Sequence, residues 1–146
     1  MAITQAIANA FKEQLLEGDQ NFSSSGGDVF KLALYTSSAT LNSATTAYSA
    51  TNEVANSGQY TAGGGDLTGQ NTSIASGVAI VDFADLSFTG VTLTARGALI
   101  YNTSSAVTNA AVAVLDFGGD KTATSGTFTV QFPAATTSAA ILRISG

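Results

Sequence analysis

The chain has 146 residues, of which 10% are charged, and 10 acidic against 5 basic side chains give it a net charge of -5. It contains no cysteine and no histidine. This excludes disulfides, thiolate metal sites and the side chain that most often acts as a general base near neutral pH. The basic residues are scattered, so we expect no patch that neutralises nucleic-acid phosphates. They are Lys12, Lys31, Arg96, Lys121 and Arg143.

Targeting and membrane-spanning patterns are missing from the sequence. No apolar run approaches the roughly 18 residues that a membrane helix needs. The first residues lack the positively charged segment that opens a secretory signal. We therefore expect a protein that is made in the cytoplasm and has no contact with a membrane.

The N-terminal segment, residues 1–18, predicts an amphipathic helix that Thr4 caps and Gly18 ends. Its apolar residues recur at spacings of three and four, which places them on one stripe of a helix. Such a stripe is buried either on the chain's own sheet or on a neighbouring subunit. The stripe consists of Ile3, Ala6, Ile7, Ala10, Phe11 and Leu15.

The first strand is expected at residues 29–36, after a polar connector rich in glycine and serine. Residues 37–57 then form a polar segment that is too long for an ordinary hairpin loop. We expect Tyr48, Val54 and Tyr60 to hold this segment against the core, with a helical turn within residues 45–54. A long loop of this kind can carry partner contacts, although a crossover between strands explains the same length.

From Gly65 onward, apolar runs and period-two alternation predict only strands. Gly90 predicts a bulge or bend, and Gly118 with Gly119 is expected to end a strand. With about eight strands in all, the sequence predicts a mainly β fold. We expect a single β-sandwich or jelly-roll-like domain over residues 19–146, with the helix as an appendage. The later strands are expected at 78–81, 86–89, 91–94, 98–101, 111–117, 128–132 and 140–144.

The tripeptide Gly-Gly-Asp occurs at residues 26–28, 64–66 and 118–120, with different flanking residues each time. Glycine tolerates positive φ, and aspartate bonds back to the nearby backbone in tight turns. We therefore interpret the three copies as turn sequences rather than as calcium sites.

Residues with the spacing that catalysis needs are scarce. A serine nucleophile needs a base beside it, and the sequence has neither histidine nor a Ser-x-x-Lys spacing. In strand-like segments the close acidic residues are Asp82 with Asp85, and Asp116 with Asp120. Both pairs fit strand ends better than an acid–base pair or a calcium site. Arg96 is expected to pair with Asp82, Asp85 or Asp116. We assign no catalytic, cofactor-binding or metal-binding residue, and we expect neither an enzyme nor a cofactor.

Five segments follow the predicted helix in a recognisable order. In this order the chain resembles a family of small virion proteins of tailed bacteriophages, seen among phages of cyanobacteria and other aquatic hosts. The similarity covers nearly the whole chain and rests on strand and turn sequences, so it specifies a fold better than a role. The segments are 28–36 (DVFKLALYT), 47–54 (AYSATNEV), 58–64 (GQYTAGG), 96–102 (RGALIYN) and 111–118 (AVAVLDFG).

The resemblance implies a capsid decoration (cement) protein, located in the virion on the capsid surface. Such proteins form homotrimers, bind the major capsid protein and clamp capsomers together, and they bring no catalytic residue. The helix or residues 37–57 would supply the contacts to the shell. Two alternatives stay open: a tail- or fibre-associated component that attaches to the host surface, and a β-sandwich that binds a host-surface glycan. In the last case Tyr35, Tyr48, Tyr60 and Tyr101 would stack on sugars, although tyrosines in strands usually pack in cores.

Overall fold

The computed structural model describes residues 2–145, which form two antiparallel sheets and one short helix near the N-terminus. Strands hold 47% of the residues and the helix 6%, so the predicted mainly β, sandwich-like fold class is confirmed. The larger sheet has the order β1-β7-β6-β2-β3 and the smaller one the order β4-β5-β8. The strands are β1 (Ala6–Ile7), β2 (Phe30–Tyr35), β3 (Gly65–Asp66), β4 (Asn71–Ala75), β5 (Val78–Asp82), β6 (Leu86–Asn102), β7 (Ala110–Val130) and β8 (Leu142–Ile144).

The helix, α1 (Asn9–Glu17), ends at Gly18 as predicted, with that glycine in the left-handed conformation at φ 81°. Its stripe is buried on the chain's own sheet, because Phe11 lies in the core and α1 packs against β7. Within residues 2–145, no helix is long and apolar enough to cross a membrane.

The predicted start of the helix at Thr4 is wrong. Ala8, immediately before the helix, is extended, and its N–H bonds to the carbonyl of Val112. The two residues before it, Ala6–Ile7, form β1 and pair with Val114 and Ala113 at the edge of the larger sheet. Because a strand partner is available there, pairing with the sheet overrides the local helical period.

Two long strands, β6 with 17 residues and β7 with 21, replace several short strands that the sequence predicts. Gly90, at φ 65°, is a bulge as expected, but pairing continues on both sides of it. The prediction that Gly118 and Gly119 end a strand is wrong for the same reason. Residues 117–120 are inserted opposite Arg96 alone, and β7 resumes its pairing with β6 at Lys121.

The hairpin that β6 and β7 form bends sharply at these irregular positions. Although Phe117 and Phe128 are eleven positions apart in one strand, their ring centroids lie 6.1 Å from each other. A straight strand would separate them by roughly 36 Å, at about 3.3 Å per residue. Because of this bend, the side of β7 that faces away from β6 is concave.

We distinguish two parts of this hairpin. The root segment comprises residues 97–102 of β6 and 110–116 of β7, and it lies between β2 and β1. The arm segment comprises residues 86–95 and 121–130. All of residues 97–102 and 110–114 are buried, whereas buried and exposed residues largely alternate along the arm segment.

Candidate functional site

The four tyrosines singled out in the sequence gather around one carboxylate, that of Glu53. Tyr48 donates its hydroxyl to Glu53 Oε1 at 2.5 Å, and Tyr60 donates to Glu53 Oε2 at 2.7 Å. The N–H of Gly63 donates to the same Oε2 at 2.7 Å. Glu53 is the single acidic residue between Asp28 and Asp66. That isolation, between two tyrosines in a polar segment, is the signal that could have identified it in the sequence.

The remaining two tyrosines complete this cluster through backbone carbonyls. Tyr35 donates to the carbonyl of Ser49 at 2.7 Å, and Tyr101 donates to that of Gly63 at 2.6 Å. The rings of Tyr48 and Tyr101 stack with centroids 4.7 Å apart. The cluster therefore joins β2 and β6 to the two segments that cover them.

Residues 37–57 are held by the sheet and contain no helical turn, so the prediction of one at 45–54 is wrong. The backbone N–H of Val54 donates to Leu34 of β2, and that of Tyr48 donates to Asn109 beside β7. These partners hold both ends of residues 46–54 on the sheet, with a turn at residues 51–52 between them. Tyr48, Val54 and Tyr60 pack on the core, as predicted.

Burial is the first cause of an upward shift in the pKa of each of these tyrosines, and the Glu53 carboxylate is the second. The shift takes the pKa of Tyr101 to about 12. The pKa values of Tyr35, Tyr48 and Tyr60 rise further above their usual range. The hydroxyls therefore stay protonated and donate hydrogen bonds through the whole physiological range.

The arrangement is structural, and it contradicts the idea that these tyrosines stack on sugars. Tyr35, Tyr60 and Tyr101 are buried, and Tyr48 offers one face to Tyr101. Gly63, at the start of the glycine run 63–65, commits its N–H to Glu53, so it is not free to bind a phosphate. The cluster fixes two long segments onto the sheet.

One member of each acidic pair of the sequence is engaged by a hydrogen bond to the backbone. Asp85 accepts from the backbone N–H of Phe132 at 2.9 Å. Asp116 accepts from the N–H of Gly118 and forms an ion pair with Arg96, which confirms one of the three partners expected for that arginine. Among residues 2–145, no group of three or more acidic side chains could hold a metal ion.

A groove of about 310 Å³ lies between α1 and the smaller sheet. Its apolar lining includes Phe11, Leu15 and Phe22 on one side and Val81 and Leu142 on the other. On the exposed side of α1, Leu16 is 90% exposed, which is unusual for a leucine on a helix that packs against a sheet. Leu16 does not line the groove, and we call the groove and this exposed leucine of the same helix together the helix surface.

Comparisons with known proteins gave no relative. No family model matches the chain, and neither the curated proteins nor the solved structures contain a match.

Proposed function

We propose that the chain is a structural virion protein, a capsid decoration protein that binds the outer shell of a tailed phage as a homotrimer and reinforces the contacts between capsomers. The observation that carries this proposal is the helix surface, the apolar groove beside α1 together with the exposed Leu16. The sequence resemblance to small phage virion proteins supports the same role.

Burial of Leu16 against the shell contributes favourably to the free energy of binding. Removing one leucine side chain from water stabilises an interface by about 1.5–3 kcal/mol. When three copies are linked in a trimer, binding of the first raises the effective concentration of the other two at the shell, so weak contacts of this size combine into tighter binding. The low fraction of charged residues limits electrostatic repulsion between neighbouring copies.

Rigidity of the β scaffold also supports a mechanical role. Within residues 2–145, no buried polar side-chain atom lacks a hydrogen-bond partner. The longest connection, residues 37–57, is fixed through Glu53 and the tyrosine cluster instead of hanging free. We therefore assign the shell contact to the helix surface rather than to residues 37–57.

The experiment uses phage shells stripped of this protein, to which purified protein is added back. We expect wild type to bind in many copies over the shell, and Leu16→Asp to bind at least about tenfold more weakly, because an aspartate cannot be buried there without its hydration. Val107→Asp, at another exposed apolar residue outside the groove, is the matched control and should bind like wild type.

Localisation by electron microscopy separates the two virion roles. Density across the whole shell supports decoration. Density confined to a vertex or the tail contradicts it and favours a tail- or fibre-associated component that attaches to the host surface. Equal binding of Leu16→Asp and wild type contradicts the assignment of the helix surface.

A further inference from the structure

The outer edge of β7 is open over most of its length. In residues 2–145, the strand on that edge is β1, which pairs only with Ala113 and Val114. From residue 117 to residue 130 the edge has no strand partner within the described chain. Edges that natural proteins keep solvent-exposed usually carry charges or proline. This edge carries Asp120 and Lys121 at its start, but residues 122–130 contain neither a charge nor proline.

A cleft of about 530 Å³ runs along this open edge. It is lined by consecutive residues of β7, in the runs 115–117, 121–123 and 127–130, and by no residue of β6. Consecutive side chains point to opposite faces of a strand. A cleft that is lined by consecutive residues therefore lies beside the strand and not on one of its faces. Gln5, next to β1, and Ile141 also line the cleft.

The shape and chemistry of the cleft fit an added strand. Its volume falls in the range of about 300–1,000 Å³ that is typical of binding sites for whole ligands. The cleft is therefore larger than a single side chain would fill. Phe117, Phe128 and Val130 give it apolar walls. An extended segment placed there would continue the track of β1, gaining backbone hydrogen bonds from the edge and burying alternate side chains in the cleft.

The chain itself carries a strand with complementary features. All five residues of β4 are exposed, and β4 pairs with β5 on one side only. Ile74, the fourth residue of this neutral strand, is 79% exposed. An open edge with an exposed isoleucine therefore exists on the same molecule as an open edge with an apolar cleft.

We propose that β4 of one copy adds to the outer edge of β7 of a second copy, with Ile74 buried in the cleft. Donor and acceptor are different surfaces, so the contact is head-to-tail. Repetition of such a contact closes a ring where the rotation between copies closes and gives an open filament where it does not; the homotrimer proposed above is a closed ring. β4 carries no charge, so the charged residues that line the cleft, Asp116 and Lys121, meet no like charge in the added strand. The inference rests on the self-assembly in the proposed function and names the surfaces that produce it.

Light scattering of the full-length chain during size-exclusion chromatography tests the contact through two substitutions. Ile74→Lys removes the donor side chain, and Thr127→Lys blocks the acceptor cleft at a residue that is exposed in the single copy. We expect each to weaken association by at least about tenfold, because each removes roughly one buried apolar contact or places a lysine in its way. Unfolding by urea should match wild type, since both residues are exposed.

Ile144→Lys is the matched control for self-association, because Ile144 is an isoleucine on β8, at the opposite edge of the same small sheet. Ile144 also lines the groove beside α1, so shell binding is compared only between wild type, Ile74→Lys and Thr127→Lys. It is 57% exposed, and we expect its association to equal that of wild type. Mixing Ile74→Lys with Thr127→Lys should restore a 1:1 dimer, because the first variant keeps an intact cleft and the second keeps an intact β4.

A wild-type chain that stays monomeric at high concentration overturns the inference. So does Ile74→Lys that associates like wild type, dissociation by Ile144→Lys instead, or a mixture that forms no dimer. Shell binding is measured separately. A monomeric chain that still coats shells contradicts this inference and the homotrimer, but leaves the shell binding of the proposed function standing. A ring that never binds shells contradicts only the proposed function.

Discussion

The root and arm segments of the β6–β7 hairpin belong to the same two strands, yet they bury their residues in different ways. In the root segment, residues 97–102 and 110–114 are all buried, because β1 and β2 flank it and both of its faces are covered. In the arm segment, one face carries Phe88, Val91 and Leu93 into the core and the other exposes threonines.

The spacing of apolar residues in the sequence reflects this difference in burial. The root segment reads as continuous apolar runs, which is typical of strands covered on both sides, and the arm segment alternates, which is typical of a half-buried sheet. The period therefore reports how many faces are covered. It does not report where a strand ends, which is why one hairpin looks like several strands in the sequence.

The largest effect is expected at two glycines with nearly the same φ but different surroundings. An added Cβ at Gly64, φ 83°, would lie 1.8 Å from the carbonyl oxygen of Leu32, which is backbone and cannot yield. At Gly118, φ 82°, nothing lies within 4 Å. We expect Gly64→Ala to lower the free energy of unfolding by more than about 4 kcal/mol and Gly118→Ala by only about 1 kcal/mol. Urea denaturation measures both, and equal losses would show that φ alone sets the effect.

The second prediction compares one leucine from each segment. Leu99 in the root segment is surrounded on all sides, whereas Leu93 in the arm segment lies beside an exposed face that can move inward. We expect Leu99→Ala to lower the free energy of unfolding by about 3–5 kcal/mol and Leu93→Ala by about 2–3 kcal/mol, because a cavity that collapses costs less. A larger loss for Leu93→Ala in the same denaturation experiment would contradict the distinction between the segments.

The third prediction concerns the tyrosine cluster, which fixes residues 37–57 next to the root segment. Glu53→Gln replaces one accepting oxygen by a donor, so Tyr48 or Tyr60 loses its acceptor. We expect a loss of about 1–3 kcal/mol in the free energy of unfolding. Glu13→Gln, on the exposed side of α1, is the matched control and should change stability by less than about 0.5 kcal/mol.

The same tyrosines predict a fall in stability at alkaline pH. Burial raises the pKa of Tyr101 to about 12, and those of Tyr35, Tyr48 and Tyr60 rise too, above the unfolded value of about 10. The folded state then binds more protons than the unfolded state, so stability is complete below about pH 10 and is lost as pH rises through about 12. Denaturation midpoints across this range check the sign, and a midpoint that stays constant would contradict burial of the hydroxyls.

The smallest effect is expected on the exposed face of the arm segment. Thr94 and Thr122 face each other across the hairpin with their hydroxyl oxygens 2.9 Å apart. We expect either residue changed to alanine to alter the free energy of unfolding by about 0.5 kcal/mol or less, with a coupling of about 0.2–1 kcal/mol in a double-mutant cycle. A single loss above about 1.5 kcal/mol would mean that another surface covers this face in solution.

Several features follow from the sequence alone because their causes are local. The end of α1 at Gly18 and the bulge at Gly90 arise from glycine at positive φ. The strand at 29–36 and the mainly β class arise from apolar runs and alternation within a few residues. The Gly-Gly-Asp motif shows where prediction from the local sequence fails. All three copies place a glycine at positive φ, at Gly26, Gly64 and Gly118. The turn prediction is wrong for two of them, because the second copy continues into β3 and the third lies in an insertion within β7.

Other features were decided only by contacts between distant residues. Ala6 pairs with Val114, so residues predicted as helix become a strand. Glu53 meets Tyr60 and Gly63 only after residues 37–64 have folded across β2, so no spacing in the sequence reveals the cluster. The spacing of apolar residues along the sequence was therefore enough to determine the mainly β fold class. The start of α1, the continuity of β6 and β7, and the two open edges depended on which partner each backbone segment found, and that choice is made by tertiary packing.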